Sequence, residues 1–362
     1  MKQKRCRALR VGFWMIIGII CIPGILAPAL LFAGDEFTDD PINLGPESDF
    51  FSMFCWGQTG FGPLRLPSQS PFQSLRMGLI PTTPSTLAGK QWDLNVHASL
   101  ANVWANEPGR YLVDYEGLDA HVSLSYGLNN SMEIELSYED RSVFGGVLDG
   151  FISDFHEAFG IDQDGRDKAS NGDIRIIVKD KDGKTLLSYT GDSGSYSRGV
   201  ALAFKHRLTC GGIIIPALSY SLSARWEIED AGILDRDIPL DFGLSLSAAK
   251  RFSSVYAYIS GGYFWYGGKK IQEIDLKETQ LSGMVALEWR YADDQSLILQ
   301  CLVSEGQAKQ LGAFSDPSYE LTLGWKYAMG LKDLLEIGLI ENIIIWDNSP
   351  DFGLHIGFTR RF

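Results

Sequence analysis

Acidic and imidazole side chains lie close together in one short stretch of the chain, between residues 145 and 160. Asp149, Asp154, His156 and Glu157 offer the oxygen and nitrogen atoms that divalent metal ions accept as ligands. Side chains two positions apart diverge on a helix, however, so Asp154 and His156 do not converge on one ion. We therefore predict no metal and no cofactor, and we keep these residues as candidates for binding a solute or for gating.

The apolar residues of the same stretch repeat with the period of a helix. They are Leu148, Phe151, Ile152, Phe155 and Phe159, and Gly160 follows as a natural stop. The pattern predicts a short amphipathic helix over residues 148–159 with one aromatic face. We interpret this helix as a lid on the mouth of the fold, with these candidate ligand-binding or gating residues in and after it: Asp149, Asp154, Phe155, His156 and Arg166.

Two histidines, His97 and His121, are each followed two positions later by a serine, Ser99 and Ser123. A serine hydroxyl beside an imidazole is the nucleophile and base of many hydrolases, lipid-active ones among them. The chain has no GxSxG motif, which would support that chemistry. We favour a polar network and predict no catalytic residue.

From Trp92 onward, apolar and polar residues alternate in segments of about ten residues. Between Leu118 and Tyr126, for example, apolar side chains occupy the even positions and polar ones the odd positions. One face of such a strand can contact lipid while the other contacts water. A soluble β-sandwich also alternates, but its strands are shorter and its inner face is dry, whereas here the polar track is rich in charge.

Short turns and long polar loops also alternate along this part of the chain. Short turns are predicted at 127–130, 209–212, 251–254, 292–295 and 328–332, and longer loops at 139–198, 229–237, 266–277 and 305–316. Bacterial outer-membrane barrels have short periplasmic turns and long outer loops. We predict an all-β, transmembrane, antiparallel up-and-down β-barrel over residues 92–362. Twelve strands are favoured, with a hairpin around Lys181–Lys184 inside a long outer loop (141–198); if that pair also spans, the number is 14.

The first 33 residues differ in composition from the rest. Five basic residues precede an apolar run from about Val11 to Phe32, and small residues suited to cleavage lie between Ala29 and Ala33. This order predicts a signal peptide and export through the inner membrane to the bacterial outer membrane; the alternative is an uncleaved anchor. Residues 34–91 do not alternate, and we predict a periplasmic segment or one threaded into the lumen.

Removing the leader leaves a strongly acidic chain. It takes away five of the 32 basic residues and none of the 45 acidic ones, so the net charge becomes 27 − 45 = −18. Nucleic acid is excluded as a partner, because phosphate binding needs a basic face. The cysteines that remain are Cys55, Cys210 and Cys301; they allow at most one disulfide, and nothing in the sequence selects the pair.

The polar tracks of the predicted strands determine the charge of the lumen. The predicted lining residues include His97, Asp119, His121, Glu133, Glu135, Arg225, Glu227 and Lys326. With Asp93, Glu139, Asp241, Glu288, Glu320 and Glu336 there are ten acids, and with Lys205 and Arg207 four bases. An acidic lumen favours cations over anions. Our leading hypothesis is a narrow channel for small solutes with a helical lid; the alternatives are a closed structural or surface-interaction barrel, and a lipid-active hydrolase.

Two further features lie at the ends of predicted strands. Asp114 and Glu116 share the phase of the lipid-facing Leu118, but at the outer end of their strand, where they either anchor the helix-bearing loop or are solvated. Phe358 and Phe362 end the last alternating segment. A terminal Phe is typical of the signal that barrel-assembly machinery binds, so we expect that machinery and outer-membrane lipid as partners.

Several of these residues carry a resemblance to a known family. Val113–Gly117, Tyr126–Leu128, Ser70–Phe72 and the stretch from Gly145 to Arg166 resemble the domain of unknown function 3187 (DUF3187), found in exported proteins of Gram-negative bacteria. The likeness is clear from about Ser70 to Arg166 and only patterned beyond. It implies export, and it supplies no activity and no site residue.

Overall fold

The computed structural model describes residues 59–146, 172–229, 240–342 and 348–362. The predicted signal peptide and the rest of the chain before Thr59 lie outside these residues. So do the predicted helix 148–159 and the five candidate residues Asp149, Asp154, Phe155, His156 and Arg166.

Twelve long antiparallel strands close into a barrel. They are β1 (Trp92–Glu107), β2 (Tyr111–Asn129), β3 (Met132–Phe144), β6 (Gly194–Thr209), β7 (Ala217–Glu229), β8 (Leu240–Phe252), β9 (Val255–Trp265), β12 (Thr279–Ala292), β13 (Gln295–Ser304), β14 (Ser318–Met329), β15 (Asp333–Glu341) and β16 (Phe352–Arg361). Each pairs with its neighbours along the chain, and β1 pairs with β16 from Asp93–Arg361 to Asn102–Phe352. The predicted 12-stranded transmembrane barrel is confirmed.

The two faces of the strands differ as a membrane barrel requires. On β7, Leu222 points outward and is 50% exposed, whereas Arg225 points inward and is 1% exposed. The outward positions of the other strands form an apolar belt that includes Leu136, Leu246, Ile259, Leu299, Leu323 and Ile356. Because successive side chains of a strand point to opposite faces, the alternation seen in the sequence produces both the lipid face and the polar interior.

Aromatic side chains mark the two edges of this belt. At the inner, periplasmic edge Trp92 packs on Tyr126 with ring centroids 4.4 Å apart, and the indole of Trp325 donates a hydrogen bond to the Tyr291 hydroxyl at 3.0 Å. At the outer edge Tyr263 and Trp265 pack edge to face. Aromatic rings are stable at the boundary between lipid and water, and two such girdles are usual in outer-membrane barrels.

The depth of each outward position sets the cost of placing a charge there. Leu222 lies near the middle of β7, and Ile228 lies on the same face near its outer end. We expect Leu222→Arg to destabilise the barrel by about 2–4 kcal/mol and Ile228→Arg by only about 0–1 kcal/mol. Urea unfolding of both variants in lipid vesicles measures the difference, and equal losses would contradict the assigned depth.

The connections follow the predicted alternation. At the periplasmic end the gaps between strands are 130–131, 210–216, 253–254, 293–294 and 330–332, whereas the outer connections are longer, except the turn 108–110 between β1 and β2. Two predicted boundaries differ. β3 continues to Phe144 and β6 begins at Gly194, so the long outer loop is shorter than predicted; the turn after β6 extends to Pro216.

Part of the long outer loop forms the predicted hairpin, β4 (Arg175–Lys179) and β5 (Thr185–Thr190). β4 pairs with the outer end of β2 from Tyr111 to Asp114, which adds two strands to the sheet without adding membrane crossings. A second small hairpin, β10 (Lys270–Ile271) and β11 (Ile274–Asp275), lies in the loop between β9 and β12. Among the described residues, no helix is long and apolar enough to cross a membrane.

An apolar cluster covers the outer mouth of the barrel, and we call it the outer cap. Phe314 is at its centre, with ring centroids 4.5 Å from Tyr111 and 5.1 Å from Phe72. The outer cap contains residues of both hairpins, of β2 and of the loop after β13, among them Val113, Ile176, Val178, Leu187, Ile271, Ile274, Leu276 and Leu311. The outer loops therefore pack on one another as a small core of their own.

Candidate functional site: a filled lumen

Residues 59–91 run through the barrel interior, and we call this segment the plug. Apart from one short 3-10 turn at Gln73–Leu75 it has almost no regular structure. Its apolar side chains Leu64, Leu66, Met77 and Leu79 pack against wall residues of β7–β9, β12, β13 and β15. The wall is shaped for this contact, since a methyl group at Gly324 or Gly338 would come within 3 Å of Leu64 (2.6 and 2.9 Å).

Carboxylates of the wall bind the main chain of the plug. Glu288 accepts hydrogen bonds from the amides of Phe61 and Gly62 at 3.1 and 3.0 Å. Glu320 accepts one from the amide of Gln69 at 2.7 Å. Further along, Asp241 binds the amide of Met77 at 3.2 Å and Glu133 that of Leu87 at 2.8 Å. Charged acceptors thus satisfy main-chain donors that a strand ladder would otherwise satisfy.

A second group of contacts joins the plug to β14, β15 and β3. Lys326 donates to the Pro63 carbonyl at 2.9 Å and pairs with Glu336 at 2.8 Å. Glu336 also accepts from the Arg65 amide at 3.2 Å. The guanidinium of Arg65 donates to both carboxylate oxygens of Glu135 at 2.8 Å. This network places a plug cation between wall acids.

Arg76 connects the plug to the outer loops. Its guanidinium lies 4.1 Å from the ring centroid of Tyr266 and donates to the Lys277 carbonyl at 2.6 Å and to Gln307 at 2.9 Å. The hydroxyl of Tyr266 in turn donates to the Met77 carbonyl at 2.9 Å. Burial raises the pKa of this phenol, so at neutral pH it remains a hydrogen-bond donor.

Three histidines stack on the inner faces of β16, β1 and β2. The rings of His97 and His121 lie 4.6 Å apart, and that of His355 lies 5.6 Å from His97. His355 contacts the Ser99 hydroxyl and Glu336, both at 2.9 Å. His97 contacts Asn95 at 3.0 Å, and His121 pairs with Asp119 at 2.8 Å.

This arrangement does not support the alternative of a hydrolase with a Ser-His pair. A nucleophilic serine must be reached by substrate, yet Ser99 is 1% exposed and both His97 and His121 are buried in the lumen. His355 belongs to the same hydrogen-bonded network as Lys326 and Glu336, whereas His97 bonds Asn95 and His121 pairs with Asp119. We interpret them as part of the polar wall.

A cluster of buried ions lines the wall on β2, β3 and β7. Arg141 pairs with Asp119 at 3.2 Å. Arg225 pairs with Glu139 and, at 3.3 Å, with Glu227, and it donates to Ser197 at 2.7 Å. The predicted lining residues therefore all lie on inward faces of the barrel: His97, Asp119, His121, Glu133, Glu135, Arg225, Glu227 and Lys326.

The excess of acidic over basic residues on the wall is smaller than the excess counted from the sequence. Four further bases lie opposite inward-facing residues: Arg141, Arg251, Arg290 and Arg361. With the four predicted bases, the wall has at least eight bases against ten acids. The plug adds Arg65 and Arg76. Arg361 and Arg290 illustrate the effect, since the first pairs with Asp93 at 2.6 Å and the second lies over the Phe61 ring at 4.9 Å.

The described part of the plug leaves a small cavity against the wall. A cavity of about 90 Å³ lies toward the periplasmic end, beside Arg65, Glu133, Lys205 and Glu336. It has room for a few water molecules and is too small for a continuous aqueous path. Among the residues that the structure describes, no group of three or more His, Cys, Asp or Glu side chains is placed to hold a metal ion.

The remaining predicted residues lie at the two ends of the barrel. Glu116 is fully buried and Asp114 nearly so, and Asp114 lies 3.6 Å from Arg175 of β4, so neither carboxylate is solvated. Phe358 is half-buried and Phe362 exposed, and the main chain of Phe362 pairs with Trp92. Their role in barrel assembly stays a prediction.

Sequence reasoning missed Arg141, His355, Arg65 and Arg76. Arg141 continues the polar track of β3 past the residues that were counted, and His355 lies on the polar track of the last segment, of which only the apolar track was read. Arg65 and Arg76 lie in a segment without periodicity, and only their contacts with Glu135 and Gln307 give them a role.

Comparison with solved structures finds outer-membrane channels. The COG4313 outer membrane channel from Pseudomonas putida F1 is 12% identical, with a TM-score of 0.49, covering 78% of this chain and all of that one. The KdgM porin is 6% identical, with a TM-score of 0.39 and coverage of 75% and 99%. The P. putida toluene transporter TodX is 9% identical, with a TM-score of 0.36 and coverage of 76% and 89%.

A search of curated proteins finds no match. A family model, in contrast, matches residues 56–362, from just before the plug to the end of the last strand. The chain therefore belongs to the family described as protein of unknown function DUF3187.

Proposed function

We propose that this protein is a gated outer-membrane channel for small polar solutes, and that the plug is its gate. One observation carries the proposal. The wall binds the plug through carboxylates and a lysine, which are charged groups that water also solvates well. Glu288, Glu320 and Lys326 bind main-chain groups of the plug that water could satisfy instead. Each such exchange changes the free energy by only about 1–3 kcal/mol.

A permanent filling would be built differently. Interiors that never open are packed with apolar side chains, because buried charges cost more than well-packed hydrophobic groups of the same volume. Here only one side of the lumen packs apolar residues of the plug, and the rest is a hydrogen-bonded polar wall. When the plug moves, the barrel retains a polar lumen that water can fill. In this proposal the plug, in the position described above, closes the channel.

A closed structural barrel is the second candidate, and the outer cap favours it. Its apolar cluster covers the outer mouth independently of most of the plug, although Phe72 and Leu75 belong to both. In that case the barrel would present its outer surface to a partner and pass no solute. The two candidates predict opposite electrical behaviour.

Weakening the plug anchors tests the proposal. We expect Glu288→Gln with Glu320→Gln to raise the frequency of channel openings, because a neutral amide binds the plug amides more weakly than a carboxylate does. Planar-bilayer recording of the purified mature protein measures this. Glu273→Gln is the matched control, since Glu273 is an exposed outer-loop acid that pairs with Lys184. Openings that are equally rare in all variants would count against a plug gate.

A further inference from the structure

The turn between β6 and β7 exposes three consecutive isoleucines at the periplasmic end of the barrel. Ile213, Ile214 and Ile215 are 82%, 88% and 59% exposed. The other periplasmic turns are shorter, and apart from Leu331 they consist of polar residues and glycine: 130–131, 253–254, 293–294 and 330–332. Clustered apolar side chains are stabilised when they leave water, so this turn has the composition of a contact surface.

We propose that the isoleucine turn, residues 210–216, inserts into the acyl chains of phospholipids on the periplasmic side of the membrane. It would be an anchor added to the lipid contact of the strands, and it does not depend on whether the barrel conducts. The turn continues the lipid-facing surface on both sides. Leu208, near the end of β6, is exposed, and Leu218, at the start of β7, shares the outward face with Leu222.

Lys250 binds the turn from the lipid-facing side of the barrel. It lies on β8 four residues after the exposed Leu246, so both side chains are on the outward face. Its ammonium donates hydrogen bonds to the carbonyls of Gly212 and Ile213, the second at 2.6 Å. The isoleucine part of the turn is therefore fixed beside the lipid-facing surface.

The turn also has a defined conformation of its own. The Gly212 amide donates to the Ile215 carbonyl at 2.8 Å, and Gly211 has a φ of +79°, which a residue with a side chain rarely adopts. On the lumen side Arg207 contacts the Cys210 sulfur at 2.6 Å. Because both sides of the turn are bound, the isoleucines are held in an exposed position and do not fold back onto the barrel.

The depth of the turn agrees with contact to lipid. β7 and β8 pair as far as Ala249, so the turn lies beside the end of β8 at Phe252. Phe252 pairs with Val255, and Val255 pairs with Trp289, whose ring lies 5.9 Å from that of Tyr291 at the inner aromatic edge. Aromatic edges mark the boundary between hydrocarbon and headgroups, and apolar segments at that boundary bury their side chains in the acyl chains.

Photocrosslinking tests which molecule covers the turn. With p-benzoylphenylalanine in place of Ile214, illumination joins the side chain to its neighbour, and mass spectrometry identifies the product. We expect a phospholipid adduct in cells and in vesicles of the purified protein. Its yield should be several-fold higher than with the same replacement of Asp293, the matched control, an exposed residue of the polar turn 293–294. The gel shift on heating verifies that both variants fold.

Two other adducts would overturn the assignment: a periplasmic protein in cells, or a second copy of the chain in vesicles. A lipid yield at position 214 no higher than at position 293 would overturn it as well.

Ile213→Ser with Ile215→Ser tests whether the isoleucines themselves drive the insertion. In that background the photocrosslinker at position 214 should lose most of its lipid adduct, because the polar neighbours no longer favour the acyl chains. An unchanged yield would mean that the strands alone place the turn in lipid, and it would overturn the role of the isoleucines as an anchor.

Discussion

Deleting residues 59–86 should convert a closed barrel into one that shows clear single-channel current steps. The plug fills the lumen, and the cavity of about 90 Å³ that remains beside it is no pathway for hydrated ions. The deletion also removes Phe72 and Leu75 from the outer cap, so it loosens the outer mouth as well. Leu87 to Gln91 remain, together with their hydrogen bonds to β2 and β3. Planar-bilayer recording of the purified variant measures the change.

The deletion needs a folding control, because the plug is part of the interior. Folded barrels migrate differently on gels before and after heating, and the variant should retain this shift and its strand signal in circular dichroism. With ten wall acids and at least eight wall bases, we expect only a weak preference for cations. A folded variant that passes no current would contradict the channel and favour the closed structural barrel.

Replacing Arg225 by Gln should destabilise the barrel more than any other single charge removal proposed here. Its guanidinium is fully enclosed between Glu139, Glu227 and Ser197. Without the cation, two buried carboxylates lose this guanidinium, and breaking a buried pair in this way costs about 3–5 kcal/mol. Urea unfolding in lipid vesicles, followed by tryptophan fluorescence, measures the loss.

Arg360→Gln is the matched control for this substitution. Arg360 also pairs with an acid, Asp333 at 3.6 Å, but its side chain is 49% exposed at the periplasmic rim. Exposed pairs contribute only about 0–1 kcal/mol. If both variants lose the same stability, burial is not what makes the Arg225 cluster important.

The barrel could be predicted from the sequence because its determinants are local. Alternation between Leu118 and Tyr126 follows from a strand with lipid on one side and polar groups on the other, and no distant contact is needed to see it. The hairpin around Lys181–Lys184 was also predictable, since its arms are too short to cross the membrane.

The contents of the lumen could not be predicted in the same way. Whether Glu320 faces water or a plug amide depends on a contact with Gln69, 251 residues away in sequence. Plug residues such as Arg65 and Leu64 have no periodicity, because an irregular segment takes its conformation from the wall around it. For the same reason the sequence left open whether residues 34–91 enter the lumen or stay outside it.

The sequence predicted ten acids and four bases on the wall, and the structure places four further bases opposite inward-facing residues. Arg141 lies on β3 beyond the residues over which the alternation was counted, yet it pairs with the wall acid Asp119 at 3.2 Å. Strand ends are the least certain part of any sequence-based assignment. If a strand is predicted to end two residues too early, a charged residue of the wall is assigned to a loop and is left out of the count.

The ladder between β1 and β16 has a consequence for biogenesis. Ten residue pairs, from Asp93–Arg361 to Asn102–Phe352, join the first strand to the last, and the plug continues directly into that first strand. The plug is therefore covalently attached to β1, one of the two strands that close the barrel. The plug must enter the lumen before β1 and β16 pair. Afterwards a segment with bulky side chains would have to pass along the axis of a closed barrel. Insertion of the plug therefore precedes closure of the barrel on the assembly pathway.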